Sequence, residues 1–379
     1  MYRDAVAILD VGSSKITALI GERAVNDNFN IKTVAEKTHE AFYDGKIVDY
    51  DSLVRAIKST LESVQQSHKV NINELFVGVP GEFLKIRNKQ YQISLNKRRK
   101  IKQKDVNELY DSVAESINEA DFEIIDKSAV YYFIDGNQRV AEPVGVVSET
   151  LSGYLTFYLA DMSFTKAVRD VLSELKIKTV NFVPIPLCQS LFLFSREERY
   201  AYVILCDVGY LTTSISIILG DGMLYQGAFP IGGGHVTAYL NNVLKIDEFS
   251  FSIAENLKRK INLSLGDGLS TTYKVYVGDE EYSFDVSACN DIVKSVLTGI
   301  AENVEKHLNQ SQVKLPYNKN ISISLTGGGI AFMRGAKEYL RNTIEMEVNV
   351  ISPNIPFMNK PDESSKLSLL NYALTCKEK

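Results

Sequence analysis

The chain has 379 residues, 45% of them hydrophobic and 23% charged, with a net charge of −5. That is the composition of an ordinary soluble globular protein with two large domains or several smaller ones. The charge excludes a global pull toward nucleic acid or anionic lipid, and no apolar run approaches the length of a membrane span.

The four cysteines, Cys188, Cys206, Cys289 and Cys376, are scattered without CxxC spacing, which predicts reduced thiols in a cytoplasm rather than a disulfide framework. The first apolar run is short and ends in Asp10, so no signal peptide is expected. Strands are predicted over residues 5–10, 16–21 and 30–35. Between the first two lies Asp10-Val-Gly-Ser-Ser-Lys15. A strand, tight glycine turn and strand bring backbone N–H groups and a lysine up to a phosphate chain, with Asp10 placed to hold a metal ion through water. Asp51 is expected to cap an amphipathic helix whose Leu53, Ile57, Leu61 and Val64 share one stripe. A buried strand over 74–79 then ends in Pro80-Gly81.

Residues 84–160 read as an insertion. From Lys85 to Lys104 there are nine basic residues and no acidic one. This run either binds phosphates of lipid or nucleic acid or, the favoured reading, forms a solvated hairpin tip balanced by an acidic helix over 105–120. It lacks the interleaved aromatics of a single-strand nucleic-acid groove. Strands around 131–134 and 153–159 and a helix over 164–175 follow. The segment Val183-Pro-Ile-Pro-Leu-Cys-Gln-Ser-Leu191 leads into a helix crossing between the halves, a candidate hinge.

A second copy of the opening motif comes next, Cys206-Asp207-Val-Gly-Tyr-Leu-Thr-Thr-Ser214, again between apolar runs. Two such units, one opening each half, predict a duplicated α/β domain closing on a ligand from both sides. Hairpins over 201–229, a helix from His235 and a strand over 321–325 repeat the order of the first half. A second insertion, 245–318, holds a helix over 252–262, a strand pair over 273–284 and a long helix over 290–308. Leu325-Thr-Gly-Gly-Gly329 is a strand running into glycines before a helix, which lets a backbone approach a flat ligand closely.

The order Asp-x-Gly-x-Ser-Lys, Asp-x-Gly-x-x-Thr-Thr, Thr-Gly-Gly-Gly resembles the actin, Hsp70 and sugar-kinase superfamily. Within it the chain is similar to the FtsA family of actin-like bacterial cell-division proteins. The stretches that carry the likeness are Leu9 to Glu22, Asp44-Gly-Lys-Ile-Val-Asp49, Phe76-Val-Gly-Val-Pro-Gly81, Glu142-Pro-Val-Gly145, Pro230-Ile-Gly-Gly-Gly-His-Val-Thr237, Ala254-Glu-Asn-Leu-Lys258 and Leu325 to Gly329. The resemblance spans residues 4–375. It implies an α/β, duplicated actin-like ATPase fold with a small α+β insertion in each half. The first half would be 1–83 plus 161–196 and the second 197–244 plus 319–379. Residues 84–160 would form an inserted small domain with a basic hairpin, and 245–318 a partner-binding subdomain.

The resemblance also implies ATP with Mg2+ as cofactor. Asp10 and Asp207 would face the metal through water from opposite halves. Gly12, Ser13, Ser14 and Lys15 would meet the phosphates on one side and Gly209, Thr212 and Thr213 on the other. Gly232 and Gly233 would pass the ribose, and Gly327, Gly328 and Gly329 would lie under the base. Glu255 and Lys258 would edge the adenosine pocket, unless their spacing of one helical turn marks an ordinary ion pair.

Departures from the family pattern weaken that picture. Tyr210 and Leu211 stand where the second phosphate loop has glycines, so a Cβ obstructs backbone approach and the bulk fills phosphate space. Ser214 replaces an aspartate. Ile185 aligns with the Glu or Gln that orients attacking water and cannot accept a proton. Weak or absent hydrolysis and insecure ATP binding are expected, and no catalytic residue is assigned.

The resemblance implies an actin-like division scaffold that self-associates into dimers or filaments. It would recruit FtsZ, through the FtsZ C-terminal tail, or another division protein on 245–318. The family's tail-binding arginine has no counterpart in 290–308, leaving Lys294, Lys306 or Arg259 for that role. The family usually ends in an amphipathic membrane helix. Here Leu367, Leu370, Tyr372 and Leu374 form a stripe expected to pack on the second half, and peripheral membrane contact would use the basic run. A cytoplasmic location at the inner face of the cell membrane is expected, with no nucleic-acid partner. The alternatives are an ATP-dependent small-molecule kinase of the same fold and a pilus-assembly actin-like adaptor.

Overall fold

A run of apolar residues opens the chain as strands. The computed structural model describes residues 5–25, 28–69, 71–246, 251–265, 272–316, 321–329 and 333–378. It begins with an antiparallel meander of β1 (Val6–Val11), β2 (Lys15–Arg23) and β3 (Phe29–Thr38). The small hairpin of β4 (Phe42–Tyr43) and β5 (Lys46–Ile47) leads to α1 (Tyr50–His68). Asp49 rather than Asp51 caps this helix, because its carboxylate accepts from the Ser52 N–H at 2.8 Å while Asp51 already lies in the first turn. The stripe of Leu53, Ile57, Leu61 and Val64 is fully buried. β6 (Glu74–Val79) then pairs in parallel with β1.

The inserted domain comprises β7 (Leu84–Lys100), α2 (Gln103–Ala114), β8 (Phe122–Ile134), β9 (Gln138–Val140) and β10 (Val147–Asp161). Its sheet runs β7-β10-β8-β9, with Val106, Leu109 and Val113 of α2 packed on one face. The basic run is not the expected hairpin tip. It lies along β7, an edge strand, and register with β10 breaks between the pairs Ser94–Thr150 and Arg99–Ser148, so residues 95–98 bulge. A bulge and a row of lysines both keep an open sheet edge from pairing with another chain. The acidic helix ends at Ala114, short of residue 120, where Ser116 Oγ donates to the Val113 carbonyl.

The chain returns to the first half through α3 (Met162–Glu174), β11 (Thr179–Pro184) and α4 (Ile185–Leu193), and α5 (Arg196–Tyr200) carries it onward. The second half contains β12 (Val203–Val208), β13 (Thr213–Leu219), β14 (Gly222–Phe229), α6 (Gly233–Val243), α7 (Phe251–Lys260), β15 (Thr272–Val277), β16 (Glu280–Asp285), α8 (Val286–Gln310), β17 (Ile323–Thr326), α9 (Ala336–Ile344), β18 (Val348–Val350) and α10 (Ser364–Glu378).

The two large sheets have one topology, β3-β2-β1-β6-β11 and β14-β13-β12-β17-β18. The duplicated fold is therefore present as expected. Asp10 pairs with Thr17 and Gly78, and Asp207 with Ser214 and Thr326, so the two aspartates occupy equivalent points of equivalent sheets. Among the described residues the second insertion shares the core of the second half. Leu257, Tyr273, Val286 and Val293 belong to the cluster that contains Ile204 and Ile217 of the second sheet. The expected boundary at 318 and 319 lies outside the described residues.

The C-terminal helix corrects the sequence reading. Its stripe packs on the first half, where Leu367, Leu370, Ala373 and Leu374 join Val6, Ile8, Val183 and Cys188. The reason is a groove left by two glycines. A Cβ on Gly21 would stand 3.0 Å from Leu370 Cδ2, and one on Gly78 would stand 3.2 Å from Leu369 Cδ2. The helix also reaches the inserted domain, where Tyr372 donates to Asp126 at 2.6 Å. The inserted domain in turn grips the second half, since Thr156 Oγ1 donates to the Met223 carbonyl and Asn88 Nδ2 to the Leu224 carbonyl.

Candidate functional site

The strand–turn–strand units of β1–β2 and β12–β13 face one another across a cleft of about 1080 Å³. The two turns are built alike. Gly12 N–H donates to the Lys15 carbonyl at 3.0 Å, and Gly209 N–H to the Thr212 carbonyl at 2.9 Å. A Cβ on either glycine would lie within about those distances of the same carbonyl oxygen, so a side chain there would push the turn apart.

Asp10 and Asp207 both line the cleft. Withdrawal from water, reinforced by the charge of Asp207, pushes the Asp10 carboxyl up to about 6, against the donation of Ser365 Oγ to its Oδ1 at 2.7 Å. Burial raises Asp207 as well, opposed by Gln189 Nε2, which donates to Oδ2 at 2.6 Å. Gln189 also donates to Ser364 Oγ at 3.0 Å, while its buried Oε1 has no protein partner.

Two hydrogen bonds cross the cleft between the second phosphate loop and the first half. Ser13 Oγ accepts from Leu211 N–H at 3.1 Å, and Thr212 Oγ1 donates to Glu82 Oε1 at 3.0 Å. Glu82 lies among the cleft residues, and withdrawal from water raises its pKa, with the Asp207 charge adding to the effect. Lys15, half-exposed, pairs with Glu36 at 2.9 Å, and Lys366 pairs with Glu36 and Glu363. Leu211 packs against the core of the first half. Ser14 and Gly12 line the cleft, and His39 anchors the turn. Its Nδ1 accepts from Ala41 N–H, so the proton sits on Nε2 and is donated to the Gly12 carbonyl at 2.8 Å.

The residues expected around the sugar and base divide into two groups. Glu255, Gly327 and Gly328 line the cleft, together with Arg259 and Phe251. Gly232, Gly233 and Gly329 instead pack backbone on backbone. Gly233 N–H donates to the Gly209 carbonyl, Gly234 N–H to the Tyr210 carbonyl and Gly329 N–H to the Val208 carbonyl. A Cβ on Gly233 would meet Gly329 Cα at 2.6 Å. Thr213 is buried and donates to the Ile231 carbonyl. Lys258 is 5% exposed and donates to Glu255 at 2.9 Å and to the Gly233 carbonyl at 3.2 Å. The pair thus joins a buried ammonium to a partly exposed carboxylate on the cleft wall. Tyr210 lies against Gly234, with Lys258 Nζ 5.3 Å from its ring centroid.

Sequence reasoning missed four contributors. Glu82 follows the strand β6, whose carboxyl end lies beside that of β1, and the Pro80-Gly81 turn marks the place where such sheets bind ligands. It supplies a carboxylate to a cleft for which the sequence assigns no catalytic residue. Gln189 sits one helical turn beyond Ile185, which fills the cleft floor against Gly78. Ser365 and Lys366 carry no local signal, since only the packing of α10 brings them to Asp10.

Among the described residues no group of three His, Cys, Asp or Glu side chains is placed to ligate a metal directly. Asp10 and Asp207 suit an outer-sphere role toward a hydrated magnesium ion, because both are acidic oxygens destabilised in their charged form without a cation.

Residues 81–158 match the family described as the SHS2 domain inserted in FTSA. The chain is similar to cell division protein FtsA of Streptococcus pneumoniae, 24% identical over 374 residues that cover 96% of this chain and 79% of that one. It is 22% identical to FtsA of Bacillus subtilis over 371 residues, covering 96% and 82%. Among solved structures, a chain of the PilM–PilN type IV pilus biogenesis complex aligns with TM-score 0.64 at 15% identity, covering 97% of this chain and 98% of that one. MreB5 of Spiroplasma citri bound to ADP aligns with TM-score 0.59 at 12% identity, covering 99% and 98%. At such identities the structural likeness shows an actin-like ATPase fold.

Proposed function

We propose, for a chain that is FtsA-like over nearly its whole length, a role as an actin-like scaffold of bacterial cell division. In this reading the molecule self-associates, recruits FtsZ or another division protein through the insertion after α6, and acts at the inner face of the cell membrane. Nucleotide binds weakly. ATP would lie along the cleft with Asp10 and Asp207 holding the water shell of magnesium. The cation would supply charge neutralisation for the phosphates, while Glu255 and Arg259 would border the nucleoside.

The observation that carries the weak-binding reading is the bond between Ser13 Oγ and Leu211 N–H. A donor that would face a phosphate in an open loop is already satisfied, so a ligand must compete with an existing bond. Titration calorimetry with ATP and magnesium, repeated with an FtsZ C-terminal tail peptide, tests the proposal. Peptide binding with ATP affinity in the millimolar range or weaker supports it. Micromolar ATP affinity with sustained turnover refutes it. Glu82 favours a second reading, phosphoryl transfer with Glu82 as base. That reading requires turnover that falls at least a hundredfold in Glu82→Gln.

A further inference from the structure

We propose that the end of the inserted domain formed by the β7 bulge and the β9–β10 loop docks on an anionic lipid surface. Two separate observations meet there. The first is an excess of basic charge, six Lys and Arg between residues 97 and 104 against Asp105, Asp135 and the exposed Glu149 opposite the bulge. Arg99 holds Asp105 through two bonds and Arg98 pairs with Asp135 at 3.0 Å, which accounts for those carboxylates. Lys97, Lys100, Lys102 and Lys104 are all exposed, and among the described residues none has a carboxylate within ion-pair distance.

The second observation is exposed aliphatic surface on the same end. Val144 and Val147 are 49% and 45% exposed. Backbone bonds place them beside the lysines. Gly145 N–H donates to the Ile101 carbonyl, Ile101 N–H donates to the Val146 carbonyl, and Val147 lies opposite Lys100 in the sheet. Gly145, at φ +88 with no atom within 4 Å of its Cβ position, turns the loop outward into open space.

Lysines around a projecting pair of valines match a bilayer interface, where ammonium groups meet lipid phosphates and the apolar tips enter the boundary region. An acidic peptide would use the charge alone and leave both valines in water. Nucleic acid would need stacking aromatics, and the exposed apolar residues of this loop are the aliphatic Val144 and Val147. Net charge over the whole chain does not oppose the contact, because screening confines the interaction to within about 8 Å at physiological salt.

The test is vesicle co-sedimentation of the full chain, with phosphatidylcholine alone and with phosphatidylcholine containing 30% phosphatidylglycerol. The expected result is binding to the anionic vesicles only, lost in 0.5 M salt. Each Lys→Ala change among the four lysines should lower the partition coefficient about fivefold. Val144→Ser with Val147→Ser should weaken binding without altering its salt dependence. Absence of binding to anionic vesicles, or binding unchanged in Lys97→Glu with Lys100→Glu, would overturn the proposal. So would an acidic peptide that binds this end while vesicles do not. Circular dichroism and thermal melts confirm that each variant is folded, and these exposed positions leave the core untouched.

Discussion

Ser13 and Leu211, one from each phosphate loop, are joined by a 3.1 Å hydrogen bond from the Leu211 amide to the Ser13 hydroxyl. With Thr212 bound to Glu82, it fastens the second loop to the first half at two points. The Leu211 side chain adds an apolar contact with the first-half core. Of the two side chains that depart from the glycine-rich pattern, Leu211 thus joins the halves, while Tyr210 packs on Gly234 within its own half.

Restoring the glycines should undo both contacts. Tyr210→Gly with Leu211→Gly removes the bulk and the apolar anchor, so affinity for ATP and magnesium should rise at least tenfold, about 1.4 kcal/mol. Folding stability should fall by about 2 kcal/mol or more, from lost burial and from two added glycines. Calorimetry and urea unfolding read the two effects. Unchanged affinity would mean that bulk in this loop does not limit binding.

Asp10 gives a pH-dependent prediction. Its folded pKa of about 6 lies above the ordinary aspartate value of about 4, so the folded protein resists ionising it. The cost is complete above pH 6, shrinks as pH falls through 6, and is gone below 4, where both states are protonated. Asp10→Asn keeps an acceptor for Ser365 and removes the charge, so it should stabilise the fold at pH 7.5 by up to about 3 kcal/mol. Thermal melts from pH 4 to 8 should show that gain vanish at the acid end. Excess magnesium should narrow it at pH 7.5, because a cation near the aspartates favours the charged form.

What could be read in advance follows the range of the interactions. Asp10 and Asp207 announce themselves because strand, turn and strand are local patterns, and their equivalence appears as a repeat. Glu82 and Gln189 are local only in part, since one needs the neighbour order of β6 and β1 and the other the path of α4. The destination of α10 was not legible at all. Its apolar residues fit any groove, and the groove chosen is created by Gly21 and Gly78, more than 290 residues away in sequence. The basic run was misread for a related reason. A bulge is a relation between β7 and β10, and neither strand encodes it alone.

The seating of α10 on the first half predicts a localised loss. Leu370 is fully buried against Gly21, and Leu370→Ala should cost about 2–5 kcal/mol in urea unfolding. Hydrogen exchange should accelerate in β1 and β6, which the helix covers, and change little in β12 and β13. Acceleration confined to the second sheet would instead place the helix where the sequence pattern first suggested.

Lys258 and Arg259 are neighbours with opposite expected behaviour. Lys258 is enclosed, with its ammonium held by Glu255 and the Gly233 carbonyl, whereas Arg259 is exposed on the cleft wall. Lys258→Met removes the buried ammonium from Glu255, which keeps the Thr237 hydroxyl, and from the Gly233 carbonyl, so it should destabilise the fold by about 2 kcal/mol. Arg259→Met should change stability by less than about 0.5 kcal/mol. If nucleotide enters this end of the cleft, the Arg259 change lowers ATP affinity severalfold, because it removes a cation facing the ligand. The same pattern with the two residues exchanged would show that Lys258 faces the ligand and that the ion pair opens when nucleotide binds.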